Sequence, residues 1–172
     1  MFVPPDLYEV REEVVEVPGE DVTPHVIEPS YGIDRMIYAV LEHSYAEEVV
    51  KGEERRVLHL PPRIAPIQAA VFPLMNRDGL PGIGREILED LASEGIVAEF
   101  DDSGAIGRRY RRQDEVGTPF AVTVDYQTPE DGTVTLRDRD SMEQVRVHRK
   151  DLPRLVASLV RGRTTFSQLM AP

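Results

Sequence analysis

IQAAVF, residues 67–72, is a short run that is almost wholly apolar, and it decides the fold. Such a run reads as a strand buried on both faces, at the centre of a sheet. The loop Asn76-Arg77-Asp78-Gly79 follows it. Next comes a helical pattern over 81–94, with apolar residues at 83, 87, 88, 91 and 92, stopped by Gly95. Residues 96–100 read as a second strand. Residues 105–117 form a polar, arginine-rich helix, and 120–126 a third strand. Asp131-Gly132 makes a turn, and 134–137 with 143–147 make a strand pair. Asp151 is placed to cap a last helix through Val160, with Pro153 in its first turn. Alternating strands and helices of this kind predict an α/β fold, a mixed β-sheet flanked by helices.

Before this part, partial alternation and β-branched residues predict a strand over 7–17, and the apolar segment at 25–27 a second strand over 23–30, separated by the turn Pro18-Gly19. A helix is predicted over 33–45 from apolar residues at 33, 36, 37, 40 and 41. Residues 47–56 read as a charged, exposed run, and 57–60 as a short strand broken by Pro61-Pro62. The chain is therefore divided at about Arg63 into 1–63 and 64–172.

Between the second strand and the first helix lies Glu28-Pro29-Ser30-Tyr31-Gly32-Ile33-Asp34-Arg35. A carboxylate, a hydroxyl, a glycine and an arginine share one strand-to-helix junction. That chemistry suits a small amine together with a nucleoside triphosphate. A carboxylate can pair with an ammonium, glycine lets a ligand approach the backbone, and a planar guanidinium suits phosphate or a purine face. The residues alone also allow a plainer account, with Glu28 capping a strand end, Asp34 at a helix start and Arg35 on the surface.

The run resembles motif 3 of the class II aminoacyl-tRNA synthetases in its glycyl form. IAPIQAAVFPLMN (64–76), DDSGAIGRRYRRQDEVGTPFAVTVDY (101–126) and GTVTLRDRDSMEQVRV (132–147) resemble the C-terminal anticodon-binding domain of the archaeal and eukaryotic glycyl-tRNA synthetases. The resemblance runs from about Phe2 to Leu169. Nothing in the chain resembles motif 1 or motif 2. It implies that 1–63 is the end of the antiparallel class II catalytic domain and that 64–172 is the anticodon-binding domain. Glu28, Pro29, Ser30, Tyr31 and Gly32 would bind glycine, and Gly32, Ile33, Asp34 and Arg35 would bind ATP. The intact enzyme would use ATP, with magnesium, to make glycyl-adenylate and pass glycine to its tRNA. It would act as a homodimer in the cytoplasm. This chain, lacking motifs 1 and 2, would not make the adenylate alone, and no bound cofactor is expected in it. Another reading from the same resemblance is a non-catalytic, synthetase-like module that binds nucleic acid. A truncated reading frame would also give such a chain.

The RNA contacts implied by the resemblance fall on Arg108, Arg109, Tyr110, Arg111 and Arg112, the one dense basic cluster. Arginines interleaved with an aromatic suit phosphate contact and base stacking. Asp101, Asp102, Asp114 and Glu115 are equally able to neutralise these arginines, so both readings stand at this point. The alternating Arg137-Asp138-Arg139-Asp140 suggests mutual pairing.

Composition sets the outer bounds. The net charge of −11 argues against non-specific attraction to nucleic acid. The charge is uneven: residues 1–60 hold 14 acidic and 5 basic residues, and 61–172 hold 17 and 15. Cysteine is absent, which excludes disulfides and thiolate metal sites. No apolar run is long enough to span a membrane, and MFVPPDLYEV lacks the basic and apolar regions of a signal peptide. The four histidines have no metal-ligand spacing. Gly79 to Gly84 fits neither GxGxxG nor a Walker A loop and reads as a helix entry.

Overall fold

A computed structural model of the chain describes residues 4, 8–50 and 52–170. The chain divides into two compact units, Met1–Tyr31 and Gly32–Pro172. In the first, residues 8–31 form neither strand nor helix, and their side chains are exposed. The strands expected over 7–17 and 23–30 are therefore absent among the described residues, residue 7 lying outside them. Alternation marks a face ready for burial, but a strand needs a neighbour to pair its N–H and C=O groups. No strand among the described residues pairs with this segment.

The second unit opens with α1 (Ile33–Ser44), where a helix was expected. Its apolar stripe is left open to solvent, Ile33 being 67% exposed and Ile37 54%. A shallow apolar groove of about 360 Å³ runs between Met36, Ile37, Val40 and Leu41 of this helix and Leu58, Leu60, Ile64, Pro66 and Val116. β1 (Tyr45–Val50) and β2 (Glu53–Leu58) then form an antiparallel hairpin where only a charged run and a short strand at 57–60 were expected. Opposite charges face one another across it, Glu47 against Arg56 and Glu48 against Arg55. Such cross-strand pairs support a ladder that carries little apolar alternation.

β3 (Ala69–Pro73), β4 (Ala98–Phe100), β5 (Phe120–Val124), β6 (Thr133–Asp138) and β7 (Gln144–His148) form one mixed sheet in the order β4-β3-β5-β6-β7. β3 runs parallel to both β4 and β5, and β6 and β7 are antiparallel additions. All five residues of β3 are buried, as expected for a central strand. Successive side chains point to opposite faces. Ala69 and Val71 join the main core with α2 (Leu80–Ser93), α5 (Leu152–Val160) and the short α6 (Phe166–Met170). Ala70 and Phe72 face α3 (Ile106–Val116) through Ile106 and Tyr110. A single turn, α4 (Thr128–Asp131), links β5 to β6. Asp151 precedes α5 as expected but makes no side-chain cap bond, because its own backbone is already helical.

Two glycines set the spacing of these layers. A Cβ at Gly84 would lie 2.8 Å from the Phe100 ring, so α2 rests on β4 only because that atom is missing. Gly117 ends α3 at φ +87°, a conformation that favours glycine, and a Cβ there would meet Leu60 at 2.9 Å.

The hairpin is fastened to α3 and the sheet by charge. Arg55 is fully buried. Its Nε donates to Asp114 Oδ2 at 2.9 Å, its Nη1 to Glu48 at 2.7 Å and its Nη2 to the Arg139 carbonyl at 2.6 Å. Arg139, also buried, donates to the carbonyls of Leu60 and Gly117 and to Asp140. His59 bridges Asp140 and Glu48 with its two ring nitrogens, at 2.7 and 2.9 Å. By contact, then, residues 32–62 pack with the sheet unit, although the sequence division was placed at about Arg63.

Arg55→Met should destabilise the chain by about 3–5 kcal/mol, since it strips a buried carboxylate of a partner. Arg56→Ala, whose partner Glu47 is exposed, should change stability by less than about 0.5 kcal/mol. Urea melts compare the two, and an Arg55 variant no weaker than the Arg56 variant would contradict the fastening.

Burial pushes the carboxyls of Glu48 and Asp140 up, but hydrogen bonds from His59 with Arg55, and from Arg139 with His59, outweigh it and hold both below the ordinary range. A folded-state value below the unfolded one means that the unfolded chain takes up more protons on acidification. This stabilisation is complete above the ordinary carboxylate range and is lost as pH falls through the folded values, below about pH 4. Urea melts from neutral pH downwards should show wild type exceeding Glu48→Gln at pH 7, with the gap closing towards pH 3.

Candidate nucleic-acid interface

The candidate RNA cluster lies on α3, and helical spacing splits it. At about 100° per residue, consecutive arginines cannot share a face. Arg109 points inward and is 3% exposed. Its guanidinium donates to the carbonyls of Pro73, Asp102 and Gly104, tying the end of β3 to the loop after β4. Arg109, named from the sequence among the RNA-contacting residues, thus has its donors engaged inside the protein. Tyr110 also turns to the sheet. Its ring meets Phe72 edge-on at 5.3 Å, and its hydroxyl bonds Thr123 at 2.6 Å. Burial pushes the Tyr110 hydroxyl pKa up, against the smaller effects of Thr123 and Arg137.

Arg108, Arg111 and Arg112 stay on the outside of the helix. Arg108 has no ion-pair partner among the described residues. Arg111 approaches Glu53 of β2 at 3.5 Å. Arg112 donates to Asp101 and to the Ser103 carbonyl. Burial raises the Asp101 pKa, but Arg112 and Ser103 more than offset it and hold the carboxyl low. Of the acids that could have neutralised the cluster, Asp101 does so for Arg112. Asp114 is turned instead towards Arg55 and Arg137.

That turn creates the site that sequence reasoning missed. Arg137, in β6, was expected to pair within its own alternating run. It reaches Asp114 Oδ1 at 3.1 Å and lies over the Tyr110 ring, 4.8 Å from its centre. Arg139, two residues on and on the same face, does pair locally with Asp140. Arg137 is 8% exposed, and among the described residues only its Nη1 has a hydrogen-bond partner. No buried side-chain nitrogen or oxygen among the described residues lacks a partner, so its remaining nitrogens reach open space. That space is a cavity of about 410 Å³ walled by Val50, Gly107, Tyr110, Arg111, Asp114, Arg137, Met142 and Gln144. Gln144 sits opposite Arg137 in the β6–β7 register, so amide and guanidinium share one face. Met142, in the turn between those strands, holds φ +58°. The signal in the sequence was the period-2 spacing of Arg137 and Arg139, which puts both on one side of a strand.

A cationic edge with two free donors, a neighbouring amide and an aromatic floor can read adjacent acceptors on a splayed-out base. The outer arginines of α3 are suited to the phosphates beside it.

The motif 3-like residues fall on both sides of the division between the compact units. Glu28, Pro29, Ser30 and Tyr31 lie in the first unit, exposed and outside any element. Gly32 precedes α1 in the second unit, and Ile33, Asp34 and Arg35 form its exposed first turn. Gly32 accepts the Met36 amide at 3.2 Å. Among the described residues no group of three or more carboxylates and histidines is gathered to hold a metal ion. No helix described is long and apolar enough to cross a membrane.

The chain is 52% identical to the glycine–tRNA ligase of Methanothrix thermoacetophila over 166 residues, 96% of this chain and 29% of that protein. It is 52% identical to that of Archaeoglobus fulgidus over 95% of this chain and 29% of the relative. It is 58% identical to that of Methanocaldococcus jannaschii over 83% of this chain and 24% of the relative. The chain therefore spans less than a third of the length of these curated relatives. Among solved structures, prolyl-tRNA synthetase from Cryptosporidium parvum, complexed with L-proline and AMP, shares the fold at a TM-score of 0.58 and 23% identity, over 61% of this chain and 23% of that one. Residues 68–159, more than half of the chain, match the anticodon binding domain, and the chain belongs to that family.

Proposed function

We propose that this chain is the C-terminal portion of a glycine–tRNA ligase and that its cavity beside Arg137 receives an anticodon base of glycine tRNA. The carrying observation is the half-free Arg137 guanidinium, buried at its stem and open at its edge, within the family's domain. In this reading 64–172 is the anticodon-binding domain and 1–63 the end of the catalytic domain. Arg137 and Gln144 read the base, and Arg108, Arg111 and Arg112 hold flanking phosphates. The near balance of charge in 61–172 leaves specificity to this local patch.

The longer protein would activate glycine with ATP, as a homodimer in the cytoplasm. Glu28 would pair with the substrate ammonium, with Pro29, Ser30, Tyr31 and Gly32 shaping a pocket too small for a side chain. Ile33 would pack on adenine beside Gly32 and Asp34, and Arg35 would meet the purine or the triphosphate. Magnesium, when bound, would neutralise phosphate charge.

Binding of an anticodon stem-loop RNA to the full chain tests the reading. Replacing a recognised base should cost about 1–3 kcal/mol, and Arg137→Gln should abolish that difference. Equal binding of native and base-replaced RNA would sink the cavity reading.

The arginines of α3 should separate in the same assay. Arg108→Ala and Arg112→Ala should weaken native and replaced RNA alike and flatten the salt dependence. Arg109→Ala should lower stability by roughly 2–4 kcal/mol through the loss of four charge-assisted bonds to three carbonyls. The test compares thermal melts with RNA titrations; an Arg109 variant of full stability and impaired binding would reverse the assignment.

A further inference from the structure

We propose that Asp114 and Arg55 are positioning residues for base recognition, a role that rests on the reading of the cavity as a base site. Asp114 aims the Arg137 edge, and Arg55 fixes Asp114. Arg55 comes from the hairpin, outside residues 68–159 that match the anticodon binding domain.

The geometry runs in one direction, from a rigid group to a free one. Arg55 is fully buried and gives each of three nitrogens to a different element: Nε to Asp114 on α3, Nη1 to Glu48 on β1, Nη2 to the Arg139 carbonyl after β6. A guanidinium with three acceptors in its plane has no rotation left. Asp114, 1% exposed, therefore has one oxygen set by Arg55, and its other oxygen takes Arg137 Nη1. Among the described residues, Arg137 has only that bond and the Tyr110 face to orient it. Remove the bond and the fork can turn on the ring, so its free edge no longer has one direction.

The type of donor adds a second effect. Arg55 and Arg137 are balanced by Glu48 and Asp114, so what the cluster presents at the cavity wall is the N–H edge of Arg137 and not a net charge. That suits acceptor atoms on a base edge and disfavours an edge presenting donors. The hairpin also supplies Val50 to the cavity lining. A segment outside the matched family domain thus contributes both a wall and the anchor of the reading group.

The experiment uses the full chain, an anticodon stem-loop RNA of glycine tRNA and versions with each anticodon base replaced in turn. Wild type should prefer the native RNA by about 5-fold to 150-fold at a recognised base. Asp114→Asn, the same size but uncharged, should bring that ratio near one, with affinity for replaced RNA changing less than about 3-fold because the outer arginines of α3 remain. Arg55→Lys, which keeps the charge and loses the planar fork, should reduce the ratio partly. A general structural defect would lower all affinities together and leave the ratio standing. If Arg137→Gln abolishes the preference and both positioning variants keep it, this inference falls while the cavity reading survives. If wild type shows no preference, both fall. Should Asp114→Asn fail to fold by circular dichroism, Arg55→Lys carries the comparison. A readout without RNA is the Arg137 guanidinium in ¹⁵N NMR, identified by its loss in Arg137→Gln. Its rotation should be slow in wild type and faster in either variant, and unchanged rotation in both folded variants overturns the proposal.

Discussion

One carboxylate shared by two arginines holds this molecule in register. Asp114 sits between β2 and β6, takes Arg55 on one oxygen and Arg137 on the other, and is closed off from water. Burying charge is costly, and such pairs rarely add net stability over a well-packed apolar core. What they supply is direction. An apolar hairpin could slide along α3 by a side chain's width with little penalty, whereas a guanidinium with three fixed acceptors has one resting place. The hairpin, the helix and the far strands of the sheet are all referenced to that point.

Around it the layers are set by missing atoms as much as by present ones. Gly84 lets α2 settle against Phe100, and Gly117 lets the segment around Leu60 close over the end of α3. The result is a sheet whose central strand is dry on both faces. Its antiparallel strands β6 and β7 carry one face out towards the cavity. Rigidity at β3 and access at β6 come from the same alternation of side chains.

The α/β pattern was legible because strands buried on both faces and helices with one apolar stripe have different periods. The elements from Ala69 to Val160 stand close to where that periodicity put them. The hairpin was hidden because charge, not apolar alternation, holds it: the mirrored pairs Glu47–Arg56 and Glu48–Arg55 look like a solvated run until they are folded together. The expected strands before Gly32 show the opposite error, alternation without a partner to pair with. At the candidate site, proximity to a basic run singled out Arg108 to Arg112. The helix turn sends Arg109 and Tyr110 inward, and register brings Arg137 and Gln144 to the cavity instead. Register is a long-range property that no local window contains.

The open stripe of α1 meets the strong acidity of the chain in how copies of the molecule treat one another. At low ionic strength a net charge of −11 keeps molecules apart before Ile33, Met36 and Ile37 can touch. Dissolved salt shortens the reach of that repulsion to roughly 10 Å at 0.1 M and less above it, while leaving the attraction between apolar faces intact. Salt would therefore act on this chain in two opposed ways: it would loosen the RNA proposed for the arginines of α3, and it would let the exposed helices of neighbouring copies approach one another.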